Sequence, residues 1–147
     1  MKQDYSKSAK VRIKRSKAGL GLYAVSEIKK GTFIIEYKGP MLNEAQVQAK
    51  GGKYLFEISR NRTIDGSSRK NVARYINHSC KPNAEVDIKK GRVFVSAIKN
   101  IEAGGEIGYD YGKEYYDEFI KPFGCKCHAD KHLYLPRKKV VKKSSTR

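Results

Sequence analysis

The chain has no tryptophan, only three cysteines and four prolines, and 15 acidic residues against 32 lysines and arginines. Each scarcity excludes something. Three cysteines, two of them at Cys125 and Cys127, cannot build a disulfide framework, so reduced thiols or metal ligands are expected. No apolar run approaches the about 18 residues of a membrane-spanning helix. The opening MKQDYSKSAKVRIKR lacks the apolar stretch of a secretory signal, so an intracellular protein without membrane contact is expected. Repeats and low-complexity linkers are missing as well. With 147 residues, 39% hydrophobic and 32% charged, the chain fits one globular domain.

What is abundant is positive charge, and it is unevenly placed. Of the formal +17, residues 1–17 contribute seven basic side chains and one acid, and residues 131–147 contribute seven basic side chains and no acid. The body between them is nearly balanced. Such flanks can neutralise phosphates and favour non-specific nucleic-acid contact, or they can simply keep the ends solvated. No array of stacking aromatics accompanies them, so base-specific reading is not expected. Cytoplasm and a chromatin- or DNA-associated compartment are equally compatible with this pattern.

Glycine and Asn/Asp punctuate the chain about every ten residues, and the segments between are rich in Val, Ile, Tyr and Phe, as in a mostly β protein of short strands. Strands are expected at VRIKRSK and GLYAVS, joined through Ala18 to Gly21, and at GTFIIEYKG, YLFEI and RTID. AEVDIKKGRVFVSA reads as a hairpin about Lys89-Lys90-Gly91, with Gly91 suited to positive φ. NEAQVQAK reads as a short helix capped by Asn43. GEIGYDYG reads as a further strand, with Tyr109 and Tyr111 on one face, and EYYDEFIK as a helical turn.

Four constellations can carry chemistry. In SKAGLGLYA, Gly19 and Gly21 let backbone approach a small molecule, or serve only as a β-turn; neither a P-loop nor a complete dinucleotide fingerprint is present. RYINHSCKPN concentrates Arg74, Asn77, His78 and Cys80 beside Pro82, which bars helix; a self-capping polar turn is the plainer reading. Tyr109, Tyr111, Tyr115 and Tyr116, with Tyr37, Tyr54 and Phe56 upstream, form either core or an aromatic tube. Each phenol needs a hydrogen-bond partner when buried, and ring faces attract cations. CKCHADKH offers Cys125, Cys127 and His132 as three of four tetrahedral zinc ligands, or as free thiols; the chain's one other cysteine is Cys80.

In their order along the chain, GxG, EY, YLF, RYINHSCKPN, GYDYG and CxCxxxxH resemble the SET-domain protein lysine methyltransferases over roughly residues 10–133. The resemblance implies small curved β-sheets around a pseudoknot with few short helices. It implies S-adenosylmethionine on one face, with a target lysine entering from the other through an aromatic channel. The implied layout is a basic extension over 1–9, a SET domain over 10–117, a post-SET-like zinc segment over 118–133 and a basic tail over 134–147.

Matched residue by residue, Lys17, Gly19, Leu20, Tyr54, Arg74, Asn77 and His78 correspond to donor contacts. Tyr37, Phe56, Tyr109 and Tyr115 correspond to the lysine channel, and Tyr111 to the catalytic tyrosine. Tyr109 occupies a position filled by Phe or Tyr in the family, and its hydroxyl implies mainly monomethylation. The resemblance also implies zinc on Cys80, Cys125 and Cys127, with the family's last zinc cysteine replaced here by His132 and His128 a less favoured substitute; Lys70 and Tyr75 stand where Gly and Phe are commoner. The implied activity is methyl transfer to a lysine of a histone tail or another basic protein. A non-catalytic basic zinc module binding chromatin or nucleic acid is the alternative.

Overall fold

The computed structural model describes residues 4–127 together with Ala129 and His132. The basic tail and His128 lie outside the described residues. Ten short strands form four small sheets rather than one large one. Strands β1 (Val11–Ser16) and β2 (Gly19–Ala24) make an antiparallel hairpin. Ser16 faces Gly19 in the ladder, so the connection is the two residues Lys17-Ala18, tighter than the sequence suggested; Gly19 follows at φ 111°.

β3 (Phe33–Tyr37), β8 (Ala84–Lys89) and β9 (Arg92–Ala97) form an antiparallel sheet in the order β3-β9-β8. Covered on both sides, β9 carries the fully buried Val93 and Val95. The β8–β9 turn uses Lys90 at φ 52° and Gly91 at φ 77°, two successive left-handed residues that match the twist of a tight hairpin. β4 (Met41–Leu42) pairs with β6 (Arg62–Asp65), which pairs with β5 (Leu55–Ser59). Helix α1 (Glu44–Lys50) begins at Asn43, whose side chain accepts from the Gln46 amide while the Gln46 side chain accepts from the Asn43 amide. This reciprocal cap explains a helix with no buried residue.

The remaining pairing threads the fold. β7 (Asn77–His78) lies parallel to β10 (Gly108–Tyr109), although about thirty residues separate them. Asn83 locks the two segments together: its Nδ2 donates to the Glu106 carbonyl and its Oδ1 accepts from the Gly108 amide. The strand expected over GEIGYDYG is thus only two residues long, and Tyr111 lies beyond it. The backbone there is spent on cross-connections with the 77–83 segment instead of a longer ladder. EYYDEFIK is helical as expected, as a short α2 (Lys113–Tyr115) that widens into a π turn at Tyr116–Ile120. Ile28, Ile34, Ile76, Ile101 and Ile107 join Leu22, Val93 and Val95 in one core beneath these segments. The whole is a mostly β fold of small sheets with a threaded centre.

Candidate active site

Two cavities open around the threaded segment. The first, about 880 Å³, is lined by Lys17, Gly19, Leu20, Lys53, Tyr54, Arg74, Asn77 and His78, among others. The second, about 680 Å³, is lined by Tyr37, Phe56, Tyr109 and Tyr115 with Glu57, Glu114, Glu118 and Phe119. Tyr54, Arg74, Tyr111 and Tyr115 line both. Every residue matched to the donor therefore borders the first cavity, and every residue matched to the lysine channel borders the second.

Tyr111 sits where the cavities meet. Its hydroxyl donates to the Ile76 carbonyl, and its amide donates to Nδ1 of His78 at 3.1 Å. The ring lies 5.0 Å from that of Tyr109 and edge-on to Tyr115 at 4.9 Å. Burial, with Tyr109, Tyr115, Tyr37 and Tyr54 around it, pushes the Tyr111 phenol well above its ordinary pKa. It therefore stays protonated at neutral pH, a hydrogen-bond donor to the Ile76 carbonyl rather than a base. Tyr109 is 6% exposed and its hydroxyl has no hydrogen-bond partner among the described residues; burial raises its pKa too.

The wall between the cavities is held in an uncommon backbone state. Tyr54 has φ 63°, a left-handed conformation that costs a non-glycine residue free energy. Its carbonyl accepts from the Tyr37 hydroxyl at 2.9 Å and from the Gly66 amide at 2.7 Å. A Cβ on Gly66 would run into the Tyr37 ring, so glycine is what lets these chains close up. Over the Tyr54 ring lies the Arg74 guanidinium, 4.2 Å from its centroid, and Arg74 also donates to the Ser67 carbonyl. The Arg74 Nε is buried without a partner among the described residues.

On the first cavity's floor, Asn77 donates through Nδ2 to the Leu20 carbonyl at 2.9 Å and to Glu106 Oε2 at 3.0 Å. This leaves its Oδ1 as an acceptor for a guest. A side chain at Gly21 would meet the Glu106 carboxylate, so the second glycine of GxG keeps room for that network. Sequence reasoning passed over Glu106, although it stands inside GEIGYDYG. It also passed over Lys53 and Phe123, the latter 78% exposed at the rim. Glu57, Glu114 and Glu118, which line the second cavity, were passed over as well.

Beside the cavities, one donor atom each from Cys80, Cys125, Cys127 and His132 fall within 4.8 Å of one another. Metal–sulfur bonds of about 2.3 Å imply a tetrahedral edge of about 3.8 Å. Cys80 Sγ and Cys125 Sγ are 3.8 Å apart, and Cys127 Sγ lies 3.3 Å from Nδ1 of His132. Burial raises the Cys125 thiol. Burial acts on Cys127 in the same direction, but the Cys80 and Ala129 amides and the neighbouring thiols bring it below its ordinary value. Three soft sulfurs and an imidazole at this spacing fit zinc. His78 links cluster and cavity: its Nε2 is 3.2 Å from Cys80 Sγ while its Nδ1 takes the Tyr111 amide. Burial, with His132 nearby, outweighs Asp110 and holds His78 below its ordinary pKa, and therefore neutral at pH 7.

A mostly β domain of small sheets with two cavities that share Tyr111 in their walls is the arrangement on which the comparisons bear. The chain belongs to the SET-domain family, whose model, described as SET domain, matches residues 19–112. It is similar to the histone-lysine N-methyltransferase trr of Drosophila melanogaster, 38% identical over 142 residues, covering 88% of this chain and 6% of that protein. It is also similar to the human histone-lysine N-methyltransferase EHMT1, 32% identical over 77% of this chain and 10% of that protein. A third relative is the histone-lysine N-methyltransferase ASHR3 of Arabidopsis thaliana, 34% identical over 86% of this chain and 28% of that protein. The chain thus spans a small fraction of the relatives it matches.

Proposed function

We propose that the protein is a protein-lysine N-methyltransferase that uses S-adenosylmethionine and acts on a histone or another basic protein. The observation that carries this reading is the meeting of the two cavities at Tyr111, with Tyr54, Arg74 and Tyr115 shared between them. The residues of the first cavity fit the donor: Lys17, Lys53 and Arg74 suit its carboxylate, Asn77 Oδ1 suits its ammonium, and Leu20, Ile120 and Phe123 suit its base. When bound, S-adenosylmethionine supplies a sulfonium-borne methyl group open to in-line attack by a neutral amine.

The chain's own residues do the rest. Tyr37, Phe56, Tyr109 and Tyr115 hold the aliphatic stem of a lysine and exclude water. A free lysine amine, with a pKa near 10.4, is almost wholly charged at pH 7, and a dry channel favours its neutral form. Tyr111, its proton committed to the Ile76 carbonyl, offers oxygen lone pairs that orient the amine. The unpartnered Tyr109 hydroxyl is free to hold a water where a second methyl would go, so the product is mainly monomethyl-lysine.

Zinc on Cys80, Cys125, Cys127 and His132 would tie residues 118–133 to the 77–83 segment, with the SET domain taken as 10–117 and basic ends at 1–9 and 134–147. Those ends give the protein non-specific affinity for nucleic acid and suit a chromatin- or DNA-associated setting. The test is incubation of metal-replete protein with labelled S-adenosylmethionine and candidate basic proteins, followed by mass spectrometry of each lysine and metal analysis of the same sample. Monomethyl-lysine on a defined site and one zinc per chain are expected. Absence of labelling across histones and other basic proteins rejects the enzyme, and absence of zinc rejects the metal assignment.

A further inference from the structure

We propose that Glu106 is a positioning residue for the methyl donor: it fixes the Asn77 amide so that Asn77 Oδ1 meets the donor's α-ammonium, and it thereby makes the first cavity select donors carrying that group. This rests on the donor reading of the first cavity and goes on to name what sets its selectivity.

An amide side chain can present either its oxygen or its nitrogen to a guest, and its neighbours decide which. Three acceptors surround Asn77 Nδ2: the Leu20 carbonyl at 2.9 Å, Glu106 Oε2 at 3.0 Å and Ser16 Oγ at 3.2 Å. An inverted amide would set Oδ1 against a carbonyl oxygen and a carboxylate, so the nitrogen is held on that side. Asn77 Oδ1 has no donor among the described residues and is left for the cavity that Asn77 lines. Of the three acceptors the carboxylate is the strongest. It polarises the amide and makes Oδ1 a better acceptor for a cation.

Glu106 is itself held in place. Its backbone carbonyl accepts from Asn83 Nδ2 at 2.9 Å, and the Tyr23 hydroxyl lies 3.4 Å from its Oε1. The neighbouring strand leaves room for it. A Cβ at Gly21 would stand 2.5 Å from Glu106 Oε2 and 3.1 Å from Asn77 Nδ2. Gly21 does not have a positive φ and lines neither cavity, so its missing side chain serves the space beside the carboxylate.

Charge points the same way. Lys17, Lys53, Arg74, Lys81 and Lys126 line the first cavity, and Glu106 is the one acidic residue among the described residues that line it. Those cations suit the donor's carboxylate but repel its ammonium and its sulfonium. One carboxylate behind Asn77 offsets that repulsion at the ammonium end.

The experiment titrates the full, metal-replete chain by calorimetry with S-adenosylhomocysteine and with its des-amino analogue, which lacks only the α-ammonium. Wild type prefers the first by about thirtyfold, the scale of one well-placed hydrogen bond to a charged group. Glu106→Ala weakens S-adenosylhomocysteine about tenfold and moves the analogue less than about twofold, so the preference falls to about threefold. Glu106→Gln, which still offers an oxygen to Asn77 Nδ2 but no charge, lies between. Gly21→Ala leaves Glu106 chemically intact, displaces it, and lowers the preference as Glu106→Ala does; G21A/E106A loses no more than Glu106→Ala alone. Glu102→Gln, exposed and bordering neither cavity, leaves the preference as it is. In turnover with S-adenosylmethionine, Glu106→Ala raises the donor KM about tenfold while kcat at saturating donor stays within about threefold. The preference is a ratio of two ligands on one folded protein, so a merely destabilised variant does not imitate it. Where Glu106→Ala does not fold, Glu106→Gln and Gly21→Ala decide. An unchanged preference in Glu106→Ala or Gly21→Ala, or a loss shared equally by both ligands, overturns the inference and leaves the donor reading standing. Equal wild-type affinity for the two ligands does the same. Binding of neither ligand to wild type rejects the donor reading and the inference with it.

Discussion

The two cavities share four wall residues yet differ in what surrounds those walls. The first is bordered by Lys17, Lys53, Lys81 and Lys126 with Glu106 as its acid; the second is bordered by Glu57, Glu114 and Glu118. The first is polar and glycine-edged, with Asn77 and Glu106 hydrogen-bonded across it. The second is walled by rings: Tyr37 and Phe56 lie 5.4 Å apart, and Tyr115 and Phe119 lie 4.7 Å apart. The difference teaches that one partition of Tyr54, Arg74, Tyr111 and Tyr115 can separate two cavities whose remaining borders differ in charge and in aromatic content.

Removing the one group that serves both sides should have the largest effect. Tyr111→Phe keeps the ring but deletes the hydroxyl, and turnover should fall by about 10²–10³-fold, the scale for losing one preorganised hydrogen-bonding group at a reacting centre. Affinities in both cavities, read by calorimetry, should change much less. Turnover within a factor of two of wild type would refute the role given to Tyr111.

Gly66→Ala should break the symmetry. The added methyl meets the Tyr37 ring, on the channel side, so stability should drop by about 1–3 kcal/mol in thermal or urea unfolding. Peptide affinity should weaken more than donor affinity; the opposite order would show that Tyr37 does not hold the channel.

A smaller and purely qualitative change is expected from Tyr109→Phe. Di- and trimethyl-lysine should rise at the expense of the monomethyl product, with total methyl transfer altered only a few-fold, as read by mass spectrometry. An unchanged distribution would remove Tyr109 from product control.

The weakest handle is pH. The phenols of Tyr37, Tyr109 and Tyr111 are raised by burial, and Tyr115 is pushed up to about 12 by burial with Tyr54 and Glu118 nearby. A group whose folded pKa exceeds its unfolded value near 10 adds stability that is complete below pH 10 and is lost as pH climbs through the folded value. Melting temperature should therefore be insensitive to these phenols from pH 7 to 9 and fall above pH 10. Spectroscopic titration of a channel phenol near pH 10 would contradict their burial.

Local chemistry was the legible part of this chain. The Asn43 cap and the turn at Gly91 each follow from a few neighbouring residues and are found where the residues predict them, whereas the alternation expected along β8 and β9 gives way to an exposed Ile88 and to consecutive buried Val93, Phe94 and Val95 on the central strand. NHSCKPN with GYDYG pointed to the family, and CKCHADKH taken with Cys80 pointed to the four-residue cluster, His132 included. What could not be read was long-range. The parallel pairing of β7 with β10 depends on Asn83 reaching Glu106 and Gly108, which no local pattern encodes. The shortness of β10 follows from the same cross-links. The left-handed Tyr54 was also hidden, because Tyr37 and Gly66 stabilise it from 17 and 12 positions away. The acids at the second cavity drew no reading at all, because only the fold brings Glu57 to the cavity that Glu114 and Glu118 line.

The partition built on Tyr54 has a consequence for how such a protein can diversify. A substitution at Tyr54, Arg74, Tyr111 or Tyr115 reshapes both cavities at once, whereas one at Glu57 or Lys81 touches a single cavity. Variation can therefore alter one border while the shared partition stays as it is.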